Sequence, residues 1–274
     1  MKIQSIGFIQ GRLSPIIDGK IQAFPWHNWK KEFRTASLNN FQLIEWTLDQ
    51  EKLYRNPLMT GDGQKLIEEL CEKYTISIPS LTGDCFMQYP FFKYEGNKRQ
   101  KLLLDFKNII RSCSILAIKY IVFPLVDNGT IENKNQFSSL LYGLKKIESY
   151  LEEKKVKIIF ESDYPPIELK KFIQYFSKKN FGINYDVGNS AALGFNHMEE
   201  LRLYGDRIKN VHIKDRLLNG STVPLGEGNA DIPSVLKQLV KIEYNGNLIL
   251  QTARSKTEHA KNLCRYRDYV LNYL

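Results

Sequence analysis

The chain has 274 residues, of which 43% are hydrophobic and 12% aromatic, enough to bury one large core. Its formal charge of +9 comes from lysines spread along helical stretches, so we interpret it as solvated helix faces rather than a nucleic-acid surface. The mean hydropathy of −0.36 and the lack of an apolar run of about 18 residues exclude a membrane span.

The cysteines and the start of the chain predict a cytoplasmic protein. Four cysteines occur without a paired spacing, which favours reduced thiols over disulfides or a zinc site. Strand-like residues begin at Met1–Gln4, so we expect no signal peptide.

Short β-branched runs alternate with periodic, charge-rich segments along the whole chain. The predicted strands are Ile3–Ile9, Leu43–Leu48, Ile76–Leu81, Tyr120–Leu125, Lys157–Glu161, Phe181–Asp186, Lys209–Ile213 and Leu248–Gln251. The predicted helices are Trp29–Leu38, Gly63–Tyr74, Arg99–Ala117, Lys134–Lys154, Ile167–Lys178, Met198–Tyr204, Pro233–Ile242 and Thr257–Tyr273. Strict alternation, with no glycine-rich dinucleotide motif and no linker, predicts a single α/β domain over residues 1–274, a (β/α)8 TIM barrel.

The last four predicted strands each end in a side chain that can bind a divalent metal. These residues are Glu161, Asp186, His212 and Gln251. The ends of parallel strands converge on one rim of a barrel, so the four side chains could close around one ion. One such residue is more often an ordinary polar group, but four on consecutive strands predict a metal site. Three oxygen donors and one imidazole suit Mn²⁺, Mg²⁺ or Co²⁺, with Zn²⁺ as a further candidate.

Several motifs resemble the xylose isomerase-like TIM barrels, in particular their sugar-phosphate isomerase and epimerase branch, with pentulose-5-phosphate 3-epimerases most similar. The resemblance is carried by Glu161–Pro165, Asn184–Asn189, Val211–Asp215 and Val223–Asp231, together with Ile6–Arg12, Leu43–Glu45 and Ile78–Ser80. It implies a keto-sugar or sugar-phosphate substrate and one divalent metal held by Glu, Asp, His and Glu. The fourth family ligand is replaced here by Gln251.

That replacement bears on the reaction that the resemblance implies. A metal-bound keto-sugar loses a proton to a carboxylate and gives a metal-stabilised enediolate, and family epimerases place one carboxylate on each face. Gln251 can offer an amide oxygen to a metal but cannot take a proton. Glu161 is then the predicted catalytic base, and one base favours isomerisation while leaving epimerisation open.

Further rim residues are predicted to bind substrate. Asn189 occupies a position where the family often contacts substrate hydroxyls, and the cations after the seventh and eighth strands lie where barrels commonly bind phosphate. Glu45 is a candidate for substrate binding or for a replacement base. The predicted set is Glu45, Asn189, Lys214, Arg216, Arg254 and Arg12.

Three other functions compete with a sugar isomerase or epimerase. A keto-sugar dehydratase comes first among them, followed by a non-catalytic sugar-binding barrel and a relative of the abasic-site endonucleases. The nuclease needs additional histidines, and the ends of the second and third predicted strands contain none, so we expect no nucleic-acid partner. The sequence leaves a homo-oligomer open.

Overall fold

A computed structural model describes residues 6–17 and 19–274. Eight parallel strands close into a barrel in chain order, and the first strand pairs with the eighth through Ile6 and Leu248. The barrel strands are Ile6–Ile9, Ile44–Thr47, Ser80–Thr82, Tyr120–Leu125, Lys157–Ser162, Phe181–Asp186, Ile208–Ile213 and Asn247–Leu250. The predicted (β/α)8 TIM barrel is therefore confirmed.

Helices follow the strands and cover the outside of the barrel. Several begin at side-chain caps: Thr60 accepts from the amide of Gly63, and Asn133 from that of Gln136. The helices are Trp29–Leu38, Gly61–Tyr74, Asp84–Gln88, Gly96–Ile115, Lys134–Lys154, Pro166–Ile173, Val187–Ala192, His197–Tyr204, Ile232–Lys241 and His259–Leu271. None of the described helices is long and apolar enough to cross a membrane.

Two predicted elements have other bounds in the structure, and part of a third lies outside the described residues. The third strand begins at Ser80 instead of Ile76, because Pro79 has no amide hydrogen for the ladder. The predicted helix Ile167–Lys178 ends at Ile173, after which the chain continues in tight turns. Of the predicted first strand Ile3–Ile9, residues 3–5 lie outside the described part of the chain.

Aromatic side chains fill much of the layer between strands and helices. Phe123 packs against Phe86 at 4.8 Å and against Phe160 at 6.1 Å between ring centroids, and Phe160 stacks on Phe181 at 6.0 Å. Such pairs contribute about 0.5–1.5 kcal/mol each beyond the area they bury. These rings pack against the fourth, fifth and sixth strands, and two of the predicted ligands lie at the carboxyl ends of the fifth and sixth strands.

Candidate active site

Three of the four predicted ligands lie together at the carboxyl ends of their strands. One donor atom from each of Glu161, Asp186 and His212 lies within 4.8 Å of the others, and all three side chains are buried. Asp186 pairs with His212 across neighbouring strands, so strand register alone brings these two side chains together. A carboxylate from the fifth strand completes the cluster.

The imidazole of His212 is fixed between two carboxylates. Its Nε2 atom lies 2.7 Å from Glu45 Oε1, and its Nδ1 atom faces Glu161 Oε2 at 3.4 Å. Burial alone would lower the pKa of His212, but the Glu45 and Glu161 carboxylates raise it to about 10. The cluster therefore favours positive charge at its centre.

Two asparagines one step deeper in the barrel connect these groups. Asn184 Nδ2 donates to Glu161 Oε2 at 2.8 Å, and Asn210 Nδ2 donates to Glu45 Oε2 at 2.9 Å and to Asn184 Oδ1 at 2.8 Å. Both lie two residues before a predicted ligand, on the same face of the strand. The sequence analysis did not assign them to the site, although this alternation is the signal that identifies them.

Lys214 connects the cluster with Gln251. Its Nζ atom donates to Asp186 Oδ2 at 3.2 Å, to Asn189 Oδ1 at 2.9 Å and to Gln251 Oε1 at 3.4 Å. The stem of Lys214 passes against Gly188, where an added Cβ would lie 2.7 Å from Lys214 Cγ. The structure thus brings Gln251 to the edge of the cluster.

A cavity of about 610 Å³ opens above the cluster, a size that suits a small-molecule substrate. Glu161, Asn189 and Gln251 are part of its wall. Asn189 Nδ2 also donates to Glu161 Oε1 at 2.8 Å, which orients that carboxylate. The cavity wall also contains three of the four predicted cations, Arg12, Lys214 and Arg216.

Two residues predicted to bind substrate lie elsewhere. Glu45 has no exposed surface, and its oxygens accept hydrogen bonds from Ser80, Thr82 and Asn210 in addition to contacting His212, so it lies below the cavity rather than in its wall. Arg254 donates to the carbonyls of Ser14 and Ile21 in the loop after the first strand and is not part of the cavity wall. Neither residue lines this cavity, and substrate contact by Glu45 or Arg254 stays a prediction.

One acid in the cavity wall was missed by sequence reasoning. Asp84 begins a five-residue helix after the third strand, and its carboxylate makes no hydrogen bond to residues 6–17 or 19–274. Burial and the neighbouring Asp49 and Glu161 carboxylates raise the pKa of Asp84 well above its usual value. The only sequence signal was its position just beyond a strand end.

The donor set fits a divalent metal. Protein-bound metals take carboxylate oxygens and neutral imidazole nitrogen, and a ligating histidine usually gives its other ring N–H to a carboxylate. His212 has this arrangement, with Nε2 on Glu45 and Nδ1 facing Glu161. Glu161, Asp186 and His212 are the residues that would hold the ion, and Gln251 is connected to them through Lys214 Nζ.

Comparison with curated proteins gives relatives among sugar epimerases and dehydratases. The putative L-ribulose-5-phosphate 3-epimerase SgbU of Escherichia coli (strain K12) is 24% identical over 249 residues, covering 84% of this chain and 86% of the relative. An inosose dehydratase of Clostridium perfringens is 24% identical over 152 residues, 47% of this chain and 51% of the dehydratase. These relatives support an enzyme of the sugar isomerase and epimerase kind.

Solved structures share the whole fold. The D-psicose 3-epimerase with D-tagatose from Clostridium cellulolyticum H10 has a TM-score of 0.77 at 12% identity and covers 99% of both chains. The IOLI protein with a binding zinc atom has a TM-score of 0.76 at 18% identity, again over 99% of both chains. A family profile described as xylose isomerase-like TIM barrel matches residues 33–268, so the chain belongs to the xylose isomerase-like TIM barrel family.

Proposed function

We propose that this protein is a divalent-metal-dependent sugar or sugar-phosphate isomerase or epimerase that acts through an enediolate. The observation that carries the proposal is the buried cluster of Glu161, Asp186 and His212 under a cavity of substrate size. The epimerase relatives support it. A divalent ion held there would polarise the carbonyl and adjacent hydroxyl of a keto-sugar and so make the neighbouring carbon more acidic.

In this proposal Glu161 is the catalytic base. It is part of both the cluster and the cavity wall, so one carboxylate can reach the substrate. Donors from Asn184 and Asn189 hold its two oxygens in place. Glu161 would take the proton from the hydroxyl-bearing carbon beside the carbonyl and return it to the former carbonyl carbon, while the hydroxyl proton passes to the former carbonyl oxygen, which completes an isomerisation.

Epimerisation needs a second group that carries a proton on the other face of the substrate. The amide of Gln251 cannot carry this proton. Asp84 is the acid that this chain offers in its place. It is part of the same cavity wall as Glu161, and its raised pKa keeps its proton to higher pH. We propose isomerisation with Glu161 alone and epimerisation only where Asp84 reaches the substrate.

Dehydration of a keto-sugar is the second candidate. It starts with the same proton removal and ends with loss of a hydroxyl group. The match to inosose dehydratases supports dehydration as a candidate reaction. Mass spectrometry of the products separates the two reactions, because a dehydratase product is lighter by one water molecule while isomers keep the substrate mass.

Solvent-deuterium exchange tests the proposed function directly. Metal-loaded protein with a set of keto-sugars should incorporate deuterium at the carbon beside the carbonyl. The Glu161→Gln variant should lose this exchange and keep its fold, by circular dichroism, because the amide retains the size of the side chain. Exchange at the wild-type rate in Glu161→Gln would remove Glu161 from the role of base.

A further inference from the structure

Arg12 is a buried cation in the wall of the cavity above the cluster. It is 5% exposed, and three hydrogen bonds hold it: Nε to the carbonyl of Thr252 at 2.9 Å, and Nη1 to the carbonyl of Ile21 at 3.2 Å and to Gln22 Oε1 at 2.8 Å. Its Nη2 atom makes no hydrogen bond to the described residues. The side chain is part of the cavity wall. Because Nη2 has no partner among these residues, its two N–H groups remain for a ligand.

The cations after the seventh strand are committed to protein acceptors. All three hydrogens of Lys214 are used by Asp186, Asn189 and Gln251. Arg216 donates to Asn189 and, from two nitrogens, to the carbonyl of Gly220. These bonds leave the two side chains less available to an incoming anion than Arg12 is.

The loop after Arg216 offers no phosphate cradle either. The amides of Gly226, Gly228 and Ala230 all donate to the carboxylate of Asp215, at 2.9 to 3.0 Å. Backbone amides must point at a ligand to bind an anion, and these three point at an internal acid. The usual phosphate position of a barrel is thus filled by the protein itself.

The charge around Arg12 is incompletely balanced. Burial and the nearby Arg254 guanidinium lower the pKa of Arg12 to about 9, against weaker opposing effects from Glu32 and Asp84. Glu32 already accepts hydrogen bonds from the amides of Gly11 and Leu13 and from the Ser14 hydroxyl. A buried cation with free donors is stabilised by an anion that supplies both charge and acceptors.

We propose that Arg12 is the anion anchor of this cavity, so that the substrate is a keto-sugar carrying a phosphate or carboxylate group bound at the junction of the first and eighth strands. The inference rests on the proposed function for the identity of the sugar portion.

Calorimetric titration of matched ligands tests the anchor. Ribulose 5-phosphate and 5-ketogluconate provide the two oxyanions, and ribulose provides the uncharged match. For wild-type protein we expect the charged ligands to bind more tightly than ribulose. Arg12→Gln should weaken the preferred charged ligand by about tenfold or more, the effect of a charge-assisted hydrogen-bond pair, and change ribulose binding by less than about twofold. The oxyanion that loses affinity identifies the group.

Two further variants control for a general effect of charge and for loss of folding. Arg202→Gln removes the same charge from an exposed helix position and should leave all affinities unchanged. Arg12→Lys keeps the charge but not the planar guanidinium, so its affinity for the charged ligand should lie between those of wild type and Arg12→Gln. This variant still tests the anchor if Arg12→Gln does not fold.

Three outcomes would overturn the anchor: charged and uncharged ligands binding wild-type protein equally, folded Arg12 variants binding the charged ligand as wild type does, or an equal loss for charged and uncharged ligands. Failure of the proposed function gives a different pattern. Charged ligands would then still bind through Arg12, while no keto-sugar exchanges its proton with solvent.

Discussion

His212 takes its two partners from opposite parts of the barrel. Glu45 on the second strand contacts Nε2, while Glu161 on the fifth strand faces Nδ1. With a metal bound and the imidazole neutral, the contact with Glu45 would keep the ring proton on Nε2 and leave Nδ1 for the cluster. We therefore expect Glu45 to act through His212.

Changing Glu45 to glutamine should weaken metal binding without unfolding the protein. The amide keeps the shape but removes the charge that holds the His212 proton, and loss of such a partner typically costs about 10- to 100-fold in metal affinity. Titration with Mn²⁺ or Zn²⁺ measures it. Glu200→Gln is the matched control, because Glu200 is also a buried acceptor, for Tyr185, Ser190 and Tyr204, and makes no hydrogen bond to Glu161, Asp186 or His212. Equal metal affinity in wild type and Glu45→Gln would contradict this role.

Gln251 lies where the family resemblance predicts a glutamate as the fourth metal ligand. If Gln251 is a neutral metal ligand, Gln251→Glu should bind metal more tightly through its added charge and should gain or raise epimerisation by supplying a second carboxylate. The structure adds a competing effect, since Lys214 already donates to Gln251 Oε1 and would form an ion pair with the new carboxylate. Metal affinity and both reaction rates should be measured together. Weaker metal binding in the variant would rule out a ligand role for Gln251.

At the scale of elements, one buried acid holds the loop after the first strand. Glu32, on the helix Trp29–Leu38, accepts hydrogen bonds from three donors in the segment Gly11–Ser14 that contains Arg12. Burial raises the pKa of Glu32 to about 7 against the opposing effect of these donors. The helix and the loop are thus joined through an ionisable group.

This raised pKa predicts a pH dependence of stability. A carboxyl group whose folded pKa exceeds its unfolded value binds more proton when folded, so its contribution is present below about pH 4.5 and is lost as the pH rises toward 7. The shift corresponds to at most about 3 kcal/mol of linked free energy. Urea unfolding of wild type and Glu32→Gln between pH 4.5 and 7.5 should show the wild type losing stability relative to the variant as pH rises.

The exposed Glu168 provides the control for that measurement. Glu168→Gln removes a carboxylate from the helix Pro166–Ile173 and should follow the wild-type pH dependence. Parallel curves for wild type and Glu32→Gln would show that the Glu32 carboxyl group titrates alike in the folded and unfolded chains.

Much of the element pattern could be predicted from sequence because it depends on local periodicity. The strands Tyr120–Leu125 and Phe181–Asp186 have the predicted bounds, as do the helices Trp29–Leu38 and Lys134–Lys154. Strand ends fix the rim of a barrel, so the positions of Glu161, Asp186 and His212 could be inferred without coordinates.

Contacts between distant segments account for what could not be predicted. The contact of Glu45 with His212 joins residues 167 positions apart, and nothing in either strand's own pattern shows it. The same holds for Arg12, whose hydrogen bond to Thr252 spans 240 positions. Short helices such as Val187–Ala192 were missed because one and a half turns give no readable period.

At the scale of the whole molecule, the charge of +9 would favour attraction to nucleic acid. Within the described residues, the only cluster of metal-binding side chains contains one histidine, His212. A multi-metal phosphodiesterase centre of the kind found in abasic-site endonucleases needs several more. The cluster therefore has too few ligands for a multi-metal phosphodiesterase centre, even if the surface charge attracts nucleic acid.

The protein should not cut DNA. Incubation with an abasic-site duplex and Mg²⁺, Mn²⁺ or Zn²⁺ should leave the strand intact, because the cluster offers ligands for one ion and the remaining charge acts only through screened attraction to phosphates. Any DNA binding should be weak and should fall steeply between about 50 and 200 mM salt, as counterion release requires. Metal-dependent incision that His212→Ala abolishes would show that this cluster performs phosphodiester hydrolysis. Incision that persists in His212→Ala would instead indicate a contaminating nuclease.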